Sequence, residues 1–488
     1  MRKKTLVPIS LVVSALLALM MVSPVLGQDP DPDEAEFLFG LVSDTEVEGV
    51  STDSLSALSG NNSRTAHADT DPDLHSQNMH LKASLPKPGT VNSDLAFWGD
   101  LAFAGNYGGF RIIDISAPGN PKVLADVSCP GPQNDVSVWG NLLFLSVDQV
   151  RTKPTCDSVV ASPQTDPNGW EGIRIFDVSN PSAPQYVGAV ATDCGSHTHT
   201  LIPDLKRNRV LLSISSYPLR SGPRCGPENA AAAGYDPLHR KISIVEVPLN
   251  DPASARVIAT PPINVPVFDI GIPGFNPMIG CHDISVFLEL HLAAAACGSA
   301  GQVWDISDPA NPKAMAPKWT VDNPNVQFYH SATFTWDGKI TIFGDEVVRG
   351  TSCQSPSDMH GRLWFYDTGS GIERGSFLIP RAQPGQYCSA HLFNVLALKN
   401  RYVLVSSWYA GGTNVVDFTN PAAATEIGYY DAQVPVAAFT WSSYWYNNFI
   451  YANDILRGVD VFLLSDDARA GARRFDYLNP QTQEEIID

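Results

Sequence analysis

Short alternating runs of apolar and polar residues, broken by Gly, Pro and Asn, fill the chain from about residue 79 onward. Ser93–Trp98 reverses through Gly99 and Asp100 into Leu101–Ala104. A third run, Arg111-Ile-Ile-Asp-Ile-Ser116, ends in the turn Ala117-Pro-Gly-Asn-Pro121, and a fourth follows at Lys122–Val127. Period-two alternation bounded by turn residues predicts antiparallel strands, four to a unit. The third run recurs as Arg174-Ile-Phe-Asp-Val-Ser179, Ser243-Ile-Val-Glu-Val-Pro248, Gln302-Val-Trp-Asp-Ile-Ser307, Trp364-Phe-Tyr-Asp-Thr-Gly369, Asn414-Val-Val-Asp-Phe-Thr419 and, degenerate, Asp460-Val-Phe-Leu-Leu-Ser465. Successive copies stand 46 to 69 residues apart, so the pattern predicts an array of seven supersecondary units, and four-stranded units of this kind are propeller blades.

The two ends of the array complement each other. The last unit has runs near Trp441–Trp445, Phe449–Ala452 and Gly458–Leu464 but no fourth, whereas Met79–Leu85 precedes the first unit. An N-terminal strand that completes the last blade would close the ring and remove exposed sheet edges. The expected fold is all-β: a seven-bladed β-propeller over residues 79–466, followed by a C-terminal tail, 467–488.

The repeated strand with its Asp-x-Ser turn, clearest at Gly109-Phe-Arg-Ile-Ile-Asp-Ile-Ser116 and Gly172-Ile-Arg-Ile-Phe-Asp-Val-Ser-Asn-Pro181, resembles the LVIVD-repeat family. The resemblance spans roughly residues 79 to 466 and implies an exported bacterial β-propeller. It implies no single activity, so function has to be read from a site.

Composition refines this picture in three ways. A chain of 488 residues would ordinarily split into two or three domains, but the repeats absorb the length in one ring. The formal net charge of −19 disfavours nucleic acid and anionic membranes as partners. Much of that charge lies in one stretch: between Gln28 and Asp73 there are twelve Asp and Glu against Arg64 alone, so residues 28–78 read as a disordered acidic linker. Ahead of it, Arg2-Lys3-Lys4 and the apolar run Leu6–Val25 read as a signal peptide over residues 1–27. The expected mature protein is secreted or periplasmic, free of the membrane after cleavage, and monomeric.

Candidate chemistry gathers on the innermost strands. Aligning their hairpins places Ser93, Asn134, His197, His282, His330, His391 and Trp441 in one column, at the mouth of the central channel where each strand begins. Four consecutive blades thus aim an imidazole at the axis, and His199 follows on the same side of its strand. Converging imidazoles suit a transition metal, copper, iron or zinc. The carboxylates Asp283, Asp345, Glu346, Asp148 and Asp454 are candidate ligands or partners that orient the rings.

Eight cysteines in an exported chain imply disulfides. Loops carrying Cys156, Cys225 and Cys353 leave the same face as the blade connections carrying Cys194, Cys281 and Cys388. Repeat symmetry therefore predicts Cys156–Cys194, Cys225–Cys281 and Cys353–Cys388, with Cys129 and Cys297 unassigned. Trp98, Trp139 and Trp336 recur at hairpin turns, where blade packing accounts for them.

The expected function is a metal-dependent oxidoreductase acting on a small molecule. The four-imidazole arrangement is similar to that of carotenoid-cleaving oxygenases. One alternative is a non-catalytic propeller that binds protein or glycan at the cell surface. Another is a polysaccharide lyase, which needs a cation beside its uronate, for which Arg151, Arg220 and Arg349 stand in mouth loops.

Overall fold

The computed structural model describes residues 73–487 apart from 219–220, 227–235, 272–275, 316–318, 351 and 466. The expected signal peptide, residues 28–72 of the expected linker, and Arg220 lie outside the described residues.

Each repeat folds as one antiparallel sheet, and seven sheets make a ring. The innermost strands, in blade order, are Asn92–Trp98, Gln133–Trp139, Thr198–Asp204, Ile284–Phe287, Tyr329–Phe334, Ser389–Val395 and Thr440–Tyr446. The third strands carry the repeated motif and are buried on both faces, while fourth strands such as Lys122–Ser128 are half exposed. Aromatic contacts join neighbours around the ring: Phe110 with Phe176, Phe287 with Phe334, Phe365 on Phe418, and Tyr430 with Phe462. Phe97 of the first blade stacks on Tyr446 of the seventh at 4.6 Å, which shuts the circle. The closing strand is as expected: Met79–Pro86 pairs antiparallel with Gly458–Leu464, from Met79 opposite Leu464 to Pro86 opposite Gly458.

The repeated motif has a physical job at each end. Its aspartate stops the strand: Asp114, Asp177, Asp305 and Asp417 each accept the backbone N–H two residues on, at 2.8–2.9 Å, forming an Asx turn. Its first residue clamps the connection from the preceding blade. Arg111 donates to the carbonyls of Leu85 and Pro86, Arg174 to those of Cys129 and Pro130, and Gln302 to that of Asn264.

Two boundaries differ from the sequence expectation. The linker stops before residue 78, because Leu74–His75 adds a fifth strand to the sixth blade. Asp73 anchors it by accepting from Tyr430 Oη and the backbone N–H groups of Gln433 and Val434. Backbone pairing, Asp73 and contacts from His75, Ser76 and Asn78 hold this segment, so its polar composition conceals it.

The C-terminal tail is also built in. It crosses the hairpin face of the ring, opposite the histidine mouth. Tyr477–Leu478 pairs antiparallel with Phe97–Trp98, and Thr482–Gln483 pairs parallel with Val286–Phe287. Asn479 both donates to and accepts from the backbone of Val138, and Thr482 Oγ1 donates to Leu201 O. Gln483 reaches Phe334 O, Arg473 N–H donates to Ala397 O, and Phe475 exchanges two bonds with Asn447. The tail therefore touches the inner hairpin end of every blade. The recurring tryptophans serve both blade packing and the tail. Trp98 meets Trp139 of the next blade edge-on at 5.5 Å and stacks on Tyr477 at 4.5 Å, and Trp139 meets Tyr477 edge-on. Trp336 donates Nε1 to Val395 O of the next blade and stacks on Phe475 at 4.9 Å.

Candidate metal centre

The histidine column coincides with a recurring backbone irregularity. The inner strands shift register between Asn92 and Leu95, Gln133 and Val136, Tyr329 and Ser331, Ala390 and Phe393, and Thr440 and Ser442. Ser93, Asn134, His330, His391 and Trp441 occupy these bulges. A bulge leaves one residue out of the ladder and re-aims its side chain, here toward the axis. His197 and His282 stand just ahead of their strands, where the connection enters.

The rings follow one another around the mouth. Ring centroids are separated by 4.4 Å between His197 and His282, 3.6 Å between His282 and His330, and 4.3 Å between His330 and His391, and Trp441 continues the series at 4.9 Å from His391. All four imidazoles are buried. Burial holds His391 down at about 3 and His282 and His330 well below the ordinary imidazole value. Burial thus favours the neutral form of these three rings, the form that binds metal.

The expected ligand set is redistributed. The ligand atoms of His330, Glu346 and His391 all lie within 4.8 Å of one another, and Glu346 Oε2 is 3.5 Å from His330 Nε2. His391 Nδ1 is bonded to the carbonyl of Trp441, which leaves Nε2 as its ligand atom. Glu346, expected as ligand or partner, belongs to this candidate group. Burial pushes its carboxyl up to about 8. His197 and His282 fall outside that group and face each other, Nε2 to Nε2, at 2.8 Å. His199 is not brought to the cluster: its Nε2 meets Ser137 Oγ at 2.6 Å and its Nδ1 meets Ser146 Oγ at 2.8 Å, so both nitrogens are satisfied deeper in the channel.

The carboxylates divide as well. Asp148 Oδ2 accepts from His197 Nδ1 at 2.6 Å, whereas Asp283 Oδ1 lies 3.6 Å from His282 Nδ1, too far for a hydrogen bond. Asp345 and Asp454 serve the backbone instead. Asp345 accepts the backbone N–H groups of Gln327, Phe328 and Gly361, and Asp454 those of Phe439, Leu456 and Arg457. Each holds a mouth loop in shape.

Two aromatic residues that sequence reasoning missed roof the centre. Tyr217 and Phe328 pack with Phe268, Ile270, Met278 and Val348 in a small apolar cluster over the histidines. The Tyr217 ring lies 4.8 Å from His197, and Phe328 stands edge-on to His282 at 6.0 Å. The signal available was the length of the loop beginning at Tyr217.

Four disulfides border this mouth: Cys129–Cys156, Cys194–Cys225, Cys281–Cys297 and Cys353–Cys388. Cys353–Cys388 is as expected, but Cys156–Cys194 and Cys225–Cys281 are not formed. Three of the four bonds tie the connection entering a blade to that same blade's second strand or the loop after it. The sequence logic chose the connection leaving the blade, and both leave the same face. Four disulfides suit an oxidising, extracytoplasmic setting. Arg151 is not available to a uronate, since it is buried and bonded to Gln149 and Ser158.

Below the histidines the channel is acidic. Burial and the neighbouring charge of Asp135 push Asp94 up to about 8, and Asp283 also sits well above the carboxylate range through burial and the charges of Asp135 and Asp94. Gln481 of the tail donates to Asp94 at 3.2 Å. When folded, Asp94 keeps its proton to about pH 8, whereas an unperturbed aspartate loses it near 3.8. The folded state binds more protons across that window, so this group's effect on stability worsens as pH rises through it. Asp94→Asn should thus gain on the wild type between pH 5 and pH 9, by on the order of 1–3 kcal/mol in urea unfolding. A difference that does not change with pH would contradict this.

Fold and site together define a class: a seven-bladed β-propeller with buried imidazoles at one axial mouth. The LVIVD-repeat family model matches residues 90–128 and 168–192, which cover the first blade and part of the second. No curated protein matches the chain by sequence. Among solved structures it is similar to a periplasmic gluconolactonase of Pseudomonas aeruginosa, with 12% identity and a TM-score of 0.50 over 80% of this chain and 97% of that one. A putative 6-phosphogluconolactonase from Bacteroides fragilis gives 9% identity and a TM-score of 0.48, covering 80% of this chain and 97% of its own. A chain of a mitotic checkpoint complex gives 11% and 0.49, covering 83% and 100%. At such identities the gluconolactonase likeness speaks for the fold alone.

Proposed function

We propose that this chain is an exported metalloprotein whose axial His330, Glu346 and His391 hold a transition ion, and that it works as a metal-dependent oxidoreductase on a small molecule. The observation that carries the reading is the convergence of two neutral imidazoles and a carboxyl group within 4.8 Å, all buried. Two nitrogens and one oxygen suit copper, iron or zinc. When bound, such an ion supplies a redox centre or a Lewis acid. The residues supply the rest: Trp441 O fixes the His391 ring, and the Tyr217–Phe328 roof excludes bulk water.

Elemental analysis of the purified protein tests the reading. About one ion per chain is expected at His330, Glu346 and His391, lost when His330→Ala and His391→Ala are combined, with the sheet signal in circular dichroism unchanged. A protein that takes up no copper, iron or zinc sinks the metal reading. A bound ion whose absorption and electron paramagnetic resonance spectra ignore reductant keeps the metal and sinks the oxidoreductase.

A further inference from the structure

Resting on that metal reading and going beyond it, we propose that the mouth holds a second transition ion, bound by His197, His282 and Tyr217, so that the site is dinuclear. The four imidazoles do not share one focus. His330 turns Nε2 to Glu346, whereas His197 and His282 turn Nε2 to each other at 2.8 Å.

The hydrogen bonding at His197 defines the second focus. Asp148 accepts from Nδ1, so that nitrogen carries the proton and Nε2 presents a lone pair. The Tyr217 hydroxyl lies 2.9 Å from the same Nε2 that His282 approaches. Both Nε2 atoms and the phenol oxygen therefore gather at one buried point. An ion placed there can take both nitrogens and the phenol oxygen as ligands. Two nitrogens bound at about 2.0–2.1 Å need to separate only slightly from their present spacing. Asp148 is then the carboxylate that fixes the tautomer and orientation of a ligating histidine. His282 and His330 lie ring to ring at 3.6 Å and place the two foci side by side.

The set is imidazole-rich, so copper(II) is the probe. The full chain is dialysed against copper(II), freed of excess, and its copper counted by mass spectrometry. Two ions per chain are expected. His197→Ala should fall to one and His391→Ala to one, and the two combined to none. Tyr217→Phe, which keeps the ring and its packing, should weaken one of the two ions by tenfold or more in titration. A spin-coupled copper pair should give a half-field resonance that either single histidine variant removes. Circular dichroism and melting confirm that each variant is folded. Saturation of the wild type at one ion, displaced by His391→Ala and untouched by His197→Ala and Tyr217→Phe, overturns the second site and leaves the proposed function standing. No copper bound to the wild type overturns both.

Discussion

Truncating the chain after Ala472 should lower the melting temperature by about 10 °C, although no blade loses a strand of its own. The tail is the one segment that contacts all seven inner hairpins among the described residues, so its loss is felt around the ring. It removes a stack between Tyr477 and Trp98 and another between Phe475 and Trp336, each worth about 0.5–1.5 kcal/mol beyond area. It also removes the buried side chains of Leu478 and Ile487, each worth about 1.5–3 kcal/mol. The sum is on the order of 5 kcal/mol, and about 2 °C per kcal/mol is the scale for a large domain. Calorimetry of the truncated and full chains measures it. Leu478→Ala isolates one contact and should cost about 2–5 kcal/mol. Melting within 2 °C of the wild type after truncation would show that the tail merely lies on the ring.

The second large effect is expected at Arg174, the first residue of a repeated motif. Its side chain is fully buried, and its guanidinium donates to the carbonyls of Pro154, Cys129 and Pro130 and to Ser158 Oγ. Burial and the nearby charge of Arg151 lower it to about 10, so it is still charged at neutral pH. Arg174→Ala strands several buried acceptors at once and should cost about 3–5 kcal/mol in denaturant unfolding. Arg174→Lys should recover little, because an ammonium cannot span acceptors arranged for a planar fork. A loss under 1 kcal/mol for Arg174→Ala would mean that water replaces the clamp.

The ring was legible because its determinants are local and repeated. Alternation sets the strands, Asp114 and its equivalents end them, and the mismatch between Met79–Leu85 and the last unit announces the closure. The histidine column was legible for the same reason, since equivalent positions in equivalent blades must face the same axis. Repetition misled where equivalent choices existed. Cysteines in entering and leaving connections look alike along the chain, so the staples were assigned to the wrong neighbour in two blades of three. His199 shares a strand face with His197, but Ser137 and Ser146 on the adjoining blade claim its nitrogens.

Local chemistry in these residues thus suffices for seven blades, their order, their closure and a mouth lined with imidazoles. Which groups meet there depends on contacts between segments far apart in the chain, whose spacing only the closed ring sets. The bulges turn His330 and His391 toward Glu346 while leaving His197 opposite His282, and the long loops bring Tyr217 and Phe328 over them. The same closure turns a polar tail with only two short strands into the floor of the channel. Its few apolar side chains find tryptophans there that lie on different blades, and those blades come together only when the circle is complete.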